Sequence, residues 1–426
     1  MSYTYLTVYV IAWTITFIIF QYSRRTFEAG SFLLLLYLIF SVASLILFSL
    51  RIYEFHNIRP FPFIYLFLLL LMTAWPILRY NTKKISEIQK PNGVLLNAVS
   101  VLFIVSTLFY FPSIIVDFSI NIAKLLSDPD AGKDLYLETW TDNYSGVTKR
   151  GGPNFAALIS GSLSGIAILL AFYNLTLIRR NNLITFGLFL CSFIIILPSI
   201  SRGQRNGITE TLLVFIITYF SLRKFIPYRI NRIIRLIALI LIPVLVIPLI
   251  ILTNSRFATS AAGSQGSTFF YIGQQNLYFN NYAFDNNGIR YGDRTVPLFK
   301  RMLGFDDVPS NYWERRFKYR NLRINDEVFI GHIGDIVLDF GPVTSVLIVS
   351  FFTLYILRKT KVTRGRILFH QLILLHIVLY LCVIGGLKLF PFADTGGNLR
   401  LMTYILFYII FRLDYRMNHY NKKIPI

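Results

Sequence analysis

Charged residues are scarce in this sequence. Asp, Glu, Lys and Arg make up 15% of the 426 residues, whereas hydrophobic residues make up 55% and aromatic residues 16%. A soluble globular domain of ordinary composition has about 25% charged residues, so the shortage argues against a water-soluble protein. Acidic residues are the rarer kind: 21 Asp and Glu stand against 42 Lys and Arg, which gives a formal net charge of +21.

Cysteine is almost absent as well. Cys191 and Cys382 are the two in the sequence, and both fall in apolar runs, so there is no disulfide framework and no cysteine-based metal cluster. A D-x-D pair of the kind that binds a metal-bound nucleotide sugar is also missing. Asp128–Asp130 has the right letters, but the proline between them constrains the backbone. We therefore predict no metal site and no cofactor.

Long apolar runs are abundant instead. Most have the length of about 18–25 residues that an α-helix needs to cross the hydrocarbon layer. Because a membrane offers the backbone no hydrogen-bond partners, each run is predicted to be a helix. The fold class that follows is all-α, a polytopic integral membrane protein with about 11 transmembrane helices. The predicted spans are 3–22, 31–50, 61–78, 94–118, 153–178, 182–200, 206–222, 236–254, 333–357, 367–390 and 398–411.

Basic residues are concentrated in every second loop between these spans. Six loops hold 22 of the 42 Lys and Arg but 3 of the 21 Asp and Glu. They are 23–30, 79–93, 179–181, 223–235, 358–366 and the tail from 412. With eleven spans all six lie on one side, and short basic loops stay in the cytoplasm. We therefore predict a multi-pass protein of the bacterial inner membrane, with its N-terminus out and its C-terminus in. Most of the net charge then reports topology, and no nucleic acid is expected as a partner.

No repeat or linker divides the chain, so residues 1–426 are predicted to form a single membrane domain. Two long loops are predicted on the periplasmic side: 119–152, and the large loop 255–332. The second is rich in aromatic and amide side chains, and we expect short interfacial helices there because Tyr and Trp favour the membrane interface. The same side chains could stack on sugar rings and bind sugar hydroxyls, or they could only seal the loop onto the bilayer; the sequence leaves both open.

Charges that fall within or beside the spans collect near the predicted outer face. Charged residues inside a membrane are costly and usually functional. Arg202 and Arg205 lie in the short loop "SRGQRN", where Gly203 and Gly207 would let the backbone approach a ligand. The alternative is that these arginines are merely solvated. The candidate diphosphate-binding residues are Arg202, Arg205, Lys388 and Arg400, and the supporting candidates are Glu210, Asp339, Arg256 and Arg323.

Acidic residues and a histidine lie at the same predicted level. Asp335 and Asp339 are four residues apart, hence on one helix face, and His332 precedes Asp335 by three. Several cations beside carboxylates fit glycosyl transfer from a polyprenyl diphosphate sugar, in which arginines stabilise the leaving diphosphate and a base assists the attacking hydroxyl. The candidate catalytic residues are Asp335, His332, Glu327 and Asp326.

Three features resemble the Wzy-type oligosaccharide repeat-unit polymerases: "SRG" after a span, a long penultimate outer loop, and "DIVLDFGPV" (335–343) opening the next span. The resemblance implies a GT-C-like, metal-independent glycosyltransferase. Such an enzyme polymerises undecaprenyl-diphosphate-linked oligosaccharide repeat units into O-antigen or capsular polysaccharide at the outer face of the inner membrane. The family's outward arginines would map onto Arg202 and Arg205. The expected partners are the lipid-linked oligosaccharide and membrane lipid, with a chain-length regulator and a flippase as further candidates.

Two alternatives stay open on the same residues. An O-antigen ligase performs the same chemistry on a different acceptor. A non-enzymatic flippase or transporter would handle the same lipid-linked oligosaccharide, but it predicts internal repeats and polar residues through the full depth of the membrane. Neither feature is evident in the sequence, which favours an enzyme.

Overall fold

The computed structural model describes residues 2–51, 53, 55, 58–127, 134–135, 155–257, 263–326 and 328–421. These residues are mostly helical, which confirms the predicted all-α class. The helices are α1 (Ser2–Arg24), α2 (Ala29–Leu50), α3 (Pro60–Arg79), α4 (Gly93–Ser127), α5 (Phe155–Thr176), α6 (Asn182–Ile194), α7 (Leu197–Ser201), α8 (Asn206–Leu222), α9 (Tyr228–Phe257), α10 (Gly263–Tyr278), α11 (Pro297–Met302), α12 (Tyr312–Lys318), α13 (Gly331–Lys359), α14 (Phe369–Leu387) and α15 (Asp394–Asn421). Two short strands, β1 (Glu87–Gln89) and β2 (Arg366–Leu368), pair with each other.

Among the described residues, eight helices are long and apolar enough to cross a membrane. They are Ser2–Arg24, Ala29–Leu50, Pro60–Lys84, Gly93–Lys124, Phe155–Thr176, Asn182–Ser201, Gly331–Lys359 and Phe369–Leu387. Each coincides with one of the eleven predicted spans, and the chain is a polytopic membrane protein. The other three predicted spans fall in α8, α9 and α15, of which α8 has 17 residues. The total of eleven stays a prediction.

The exposed faces of these helices are apolar, as lipid contact requires. On α1, Leu6, Tyr9 and Trp13 are buried on one side. Val8 and Ile15, on the other side, are 58% and 51% exposed. Apolar side chains exposed along a whole helix face are rare in water and ordinary in lipid.

The chain forms two compact units, each described separately below. Unit 1 consists of Met1–Glu87, Gln265–Ile367 and Gln371–Met402. Unit 2 consists of Ile88–Ser264, Leu368–His370 and Thr403–Ile426. Helices α1–α3 and α11–α13 belong to unit 1, and helices α4–α9 belong to unit 2.

In unit 1, α10 packs tightly on α2. A Cβ at Gly273 would lie 2.6 Å from backbone atoms of Ala43 and Ser44, so only glycine permits this approach. The Ser44 hydroxyl donates to the Gly273 carbonyl at 2.6 Å, and the Asn276 amide donates to the Ser44 hydroxyl at 2.9 Å. The Asn276 amide, one of the side chains considered as sugar ligands from the sequence, thus joins α10 to α2.

Helix α13 bends at Gly341. This residue has φ 79° and ψ 164°, a backbone conformation that L-residues avoid, and Pro342 follows it. The bend separates residues 331–340, which are buried almost throughout, from residues 342–359. The second part exposes Val343, Leu347 and Phe351 at helical spacing, as expected of a lipid-facing surface. The first part carries the site described next.

Candidate functional site

A buried arginine lies at the centre of a charge cluster in unit 1. The side chain of Arg290 is 0% exposed, and each of its three nitrogens contacts a different carboxylate. Nε is 2.7 Å from Asp339, Nη2 is 3.0 Å from Asp335, and Nη1 is 2.5 Å from Asp326. The planar fork of a guanidinium suits this arrangement because its five N–H groups point in fixed directions.

Two more arginines complete the cluster. Arg294 pairs through Nη1 with Asp326 and through Nε, at 3.3 Å, with Asp335. Arg315 contacts the other oxygen of Asp326 and, at 2.8 Å, the half-exposed Asp394. Asp326 therefore receives all three guanidinium groups. We call this set of six buried side chains the arginine–aspartate network: Arg290, Arg294, Arg315, Asp326, Asp335 and Asp339.

The carboxylate oxygens of Asp335 and Asp339 that the arginines do not contact accept hydrogen bonds from backbone N–H groups and from a hydroxyl. The second oxygen of Asp339 accepts from both the backbone N–H and the hydroxyl of Thr295, each at 2.7 Å. The second oxygen of Asp335 accepts from the Phe390 N–H at 2.7 Å. Both aspartates of α13 thus join three segments of unit 1: the loop before α11, α13 itself, and the segment after α14.

The loop that carries Arg290 and Arg294 is held in an unusual conformation. Asn287 and Tyr291 have φ values of 62° and 54°, in the left-handed region that non-glycine residues seldom adopt. The backbone N–H of Arg290 donates to the Leu338 carbonyl of α13 at 2.8 Å. Such turns cost free energy and persist where surrounding contacts hold them in place. The ion pairs of the network supply these contacts.

The network has balanced charge, with three guanidinium groups facing three buried carboxylates. Burial raises the pKa of Asp326, but Arg294, Arg290 and Arg315 lower it by more, so that it lies well below its usual range. Burial lowers the pKa of Arg290, and the three carboxylates raise it by more. Asp326 is therefore ionised at neutral pH and a poor proton acceptor, because a general base works best with a pKa near the operating pH.

A second acidic centre lies beside the network. The side chain of Asp293 is 0% exposed and pairs with Lys300 and, at 2.9 Å, with Lys318. The Tyr319 hydroxyl donates to it at 2.7 Å. Burial raises the pKa of Asp293, but these partners lower it by more. Lys300 and Lys318 are 18% and 27% exposed, so this centre reaches the surface, whereas the network does not.

His332 lies apart from the network. Its side chain is fully buried between α3 and α14, with Nε2 3.3 Å from the Thr73 hydroxyl and its Cβ against Gly385. These contacts favour a packing role. The contacts of Asp335 and Asp326 likewise favour a positioning role over the predicted role as bases, since every oxygen of either carboxylate has at least one donor.

Lys388 and Arg400, two predicted diphosphate ligands, are both partly buried in unit 1. The Lys388 carbonyl accepts from the Gly331 N–H at 2.8 Å, which ties the start of α13 to the end of α14. Arg400 donates to the Tyr380 hydroxyl, and its guanidinium lies 5.2 Å from the centre of that ring. Neither contact tests the predicted role in diphosphate binding, which stays a prediction.

The other two predicted diphosphate ligands lie in unit 2. Arg202 is exposed at the end of α7. Arg205 precedes α8, and its Nη1 donates to the Thr253 hydroxyl of α9 at 2.9 Å. A Cβ at Gly207 would lie 2.2 Å from the Ser199 hydroxyl oxygen, so the missing side chain lets Ser199 of α7 pack against the start of α8. Glu210 is half-buried one turn into α8.

The remaining predicted site residues lie at the surface or outside the described residues. Arg323 is a surface residue, 52% exposed, with its Nη1 3.4 Å from Asp285. Glu327, the side chain of Arg256 and the segment Asp128–Asp130 lie outside the described residues. In the described ranges, no group of His, Cys, Asp and Glu is placed to hold a metal ion.

Arg290 and Arg294, which pair with the predicted aspartates, are not among the residues predicted from the sequence. One signal was available. The two arginines are four residues apart, and so are Asp335 and Asp339 on the facing helix, so the two pairs have matching spacing. That match becomes meaningful only once the loop is known to lie along α13.

The comparisons with known proteins add no assignment. No family model, curated protein or solved structure matches the chain.

Proposed function

We propose that this chain polymerises undecaprenyl-diphosphate-linked oligosaccharide repeat units at the periplasmic face of the bacterial inner membrane. The observation that carries the proposal is the arginine–aspartate network, because it gives a physical reason for the "LDFG" motif (338–341), the centre of the "DIVLDFGPV" segment that resembles the polymerases. Asp339 of that motif binds Arg290 and Thr295, and Gly341 makes the bend in α13. The motif thus holds the long loop against the end of a membrane helix.

The proposed orientation has eleven spans, N-terminus out and C-terminus in. Within unit 1, residues of three basic loops line one cavity: Arg24, Lys84 and Lys361. Lys361 follows the C-terminal end of α13, and the network lies at its N-terminal end. The 29 residues of α13 span about 43 Å if fully helical, enough to cross the bilayer. With the basic end in the cytoplasm, the network faces the periplasm.

In the proposed reaction, a sugar hydroxyl of one lipid-linked repeat unit attacks the anomeric carbon of the growing chain. A new glycosidic bond forms, the bond from that carbon to the diphosphate breaks, and the hydroxyl proton passes to a base. Undecaprenyl diphosphate leaves with the bonding electrons. Arg202, which is exposed, binds the diphosphate with Arg205 and stabilises its developing charge without reorganising. No metal is required, as the resemblance implies.

We propose different roles for the other predicted site residues. Asp326, Asp335 and Asp339 hold the loop 285–326 in place, so they are positioning residues. His332 packs between helices, and Glu327 keeps its predicted role as the base.

The test is a polymerisation assay with the purified protein in vesicles and the lipid-linked repeat unit as substrate. Arg202→Ala should lower the polymerisation rate by about 10²–10³-fold, the usual effect of removing one preorganised donor, while the single-unit glycolipid persists. Arg179→Ala is the matched control, because Arg179 is also an exposed arginine in a short loop of unit 2. It should keep the wild-type polymer ladder.

Three outcomes decide between the candidates. A normal ladder from Arg202→Ala defeats the assignment of this residue. Transfer only when a lipid A core is supplied identifies a ligase. Translocation of the glycolipid without any change in glycan length identifies a transporter.

A further inference from the structure

Unit 1 contains a cavity of about 380 Å³ near the C-terminal ends of α1, α3 and α13. Four cationic side chains line it, and no lining residue is acidic. They are Arg24, Arg79, Lys84 and Lys361. A cluster of cations without a carboxylate raises the local electrostatic potential and attracts anions.

Three of these cations are unpaired within the described part of the chain. Arg79, Lys84 and Lys361 are exposed, and no hydrogen bond or ion pair of their side chains occurs there. Arg24 differs, because its guanidinium donates to the Leu78 carbonyl near the end of α3. The carbonyl of Arg24 accepts from Lys83 at 2.8 Å. Arg79 also lies in the last turn of α3, where a cation is favourable, but within the described ranges its side chain, like those of Lys84 and Lys361, has no hydrogen bond or ion pair.

One buried carboxylate, Glu28, interacts electrostatically with the lining residue Tyr80, but a single carboxylate cannot balance four cations. Glu28 is 5% exposed and is engaged by the Thr82 hydroxyl at 2.5 Å. It also forms a reciprocal capping box with Ser31 at the start of α2. The partners of Glu28 in these interactions are thus Thr82 and Ser31, and Glu28 is not among the residues that line the cavity.

Apolar side chains also line the cavity. Leu357, Val362 and Leu375 line it together with the cations. A wall that joins apolar side chains to a group of Lys and Arg matches an amphiphile with an anionic head, and basic pockets of this kind between membrane helices bind anionic lipid headgroups. Free phosphate would use the cations and leave the apolar side chains without a role.

We propose that this cavity binds a phosphate-bearing anion, and that its ligand is the headgroup of an anionic phospholipid. The guanidinium of Arg79 and the ammonium groups of Lys84 and Lys361 bind the phosphate oxygens through charge-assisted hydrogen bonds. The inference does not rest on the proposed polymerase activity, because none of these residues belongs to the arginine–aspartate network or to the loop of Arg202.

The experiment compares the full-length protein with a triple variant, Arg79→Gln, Lys84→Gln and Lys361→Gln. Binding of a fluorescent phosphatidylglycerol is measured in phosphatidylcholine nanodiscs by energy transfer from protein to lipid. The triple variant should bind this lipid at least about tenfold more weakly, given the usual contribution of each cation near a lipid surface. Wild-type binding should also weaken at high salt because of screening.

The matched control removes the same charge elsewhere. Arg229, Arg232 and Arg235 are three exposed arginines of α9, and their joint change to Gln should weaken binding less than the cavity variant does if the site is local, because it removes only the general attraction of basic residues for anionic lipid. Equal loss in both triple variants, or no loss in the cavity variant, overturns the proposal. Unfolding temperatures of all three proteins establish that each is folded.

A second arm separates the two sources of phosphate. Calorimetric titration of the protein in neutral nanodiscs with inorganic pyrophosphate should give the same result for the wild type and the cavity variant if the ligand is a lipid, because binding at the proposed diphosphate ligands Arg202 and Arg205 does not involve the cavity. Saturable binding that the cavity variant loses would overturn the lipid assignment and identify a soluble phosphate as the ligand.

Discussion

At the scale of single residues, Arg290 determines how the network is built. Its guanidinium contacts Asp326, Asp335 and Asp339 through three different nitrogens. A lysine offers one ammonium group and could not reach all three carboxylates with the same directionality. Buried ion pairs add little net stability compared with an apolar core, but removing one partner leaves the others charged, buried and uncompensated.

Arg290→Met should therefore lower the free energy of unfolding by about 3–5 kcal/mol, the usual cost of breaking a buried charge pair. The measurement is the apparent unfolding temperature in detergent, followed by the fluorescence of a dye that reacts with newly exposed thiols. Both cysteines are buried, so they report unfolding. Arg290→Lys should restore little of the loss, because the fork geometry is missing.

Arg323→Met is the matched control for that variant. Arg323 and Asp285 form a surface ion pair, 52% and 53% exposed, and such pairs contribute about 0–1 kcal/mol. Its unfolding temperature should stay close to the wild-type value. If Arg290→Met and Arg323→Met unfold at the same temperature, the network does not hold the loop to α13.

At the scale of elements, the bend in α13 combines two requirements. The residues before Gly341 are buried and polar enough to bind the loop, while the residues after it present an apolar face. A straight helix would rotate one of these surfaces away from its partner. Gly341 makes the change of direction at one residue, because φ 79° with ψ 164° is accessible to glycine and strained for other residues.

Gly341→Ala should destabilise the protein by about 1–3 kcal/mol through backbone strain alone. Space is not the obstacle, since a Cβ there would meet Ile289 at an ordinary 3.7 Å. Gly161→Ala in α5 is the control: a Cβ there meets nothing within 4 Å, and alanine favours a helix. In thermal unfolding, Gly341→Ala should lower the unfolding temperature, whereas Gly161→Ala should raise it. A neutral Gly341→Ala would mean that α13 can straighten.

The elements also differ in how well their structure could be predicted from the sequence. The membrane helices were predictable because the length and apolarity of a run determine whether it can span the bilayer. The shared face of Asp335 and Asp339 followed from helical spacing. Their partners did not follow, because Arg290 reaches them only through a loop whose turns place Asn287 and Tyr291 at positive φ. Local propensity cannot foresee turns that distant contacts stabilise.

At the scale of the whole molecule, charge is divided between two kinds of environment. The basic loops near Arg24, Lys84 and Lys361 have few acidic residues and leave cations open to ligands. The arginines at the other end of α13 are matched one for one by buried aspartates. Basic residues therefore leave a cavity open to anions at one end of α13 and fix a loop at the other. The proposed orientation requires that the two ends lie on opposite sides of the membrane.

Cysteine labelling tests that requirement. Cys191→Ala with Cys382→Ala removes both native thiols, and single cysteines are then placed at the exposed positions Asp306 and Arg364. A membrane-impermeant maleimide added to intact spheroplasts should label Asp306→Cys at once and Arg364→Cys only after permeabilisation, because the proposed orientation puts the basic loop that contains Arg364 in the cytoplasm. The reverse pattern would move the arginine–aspartate network to the cytoplasm, where no lipid-linked repeat unit is polymerised in the proposed reaction. Labelling of both cysteines in intact spheroplasts would mean that α13 does not cross the membrane.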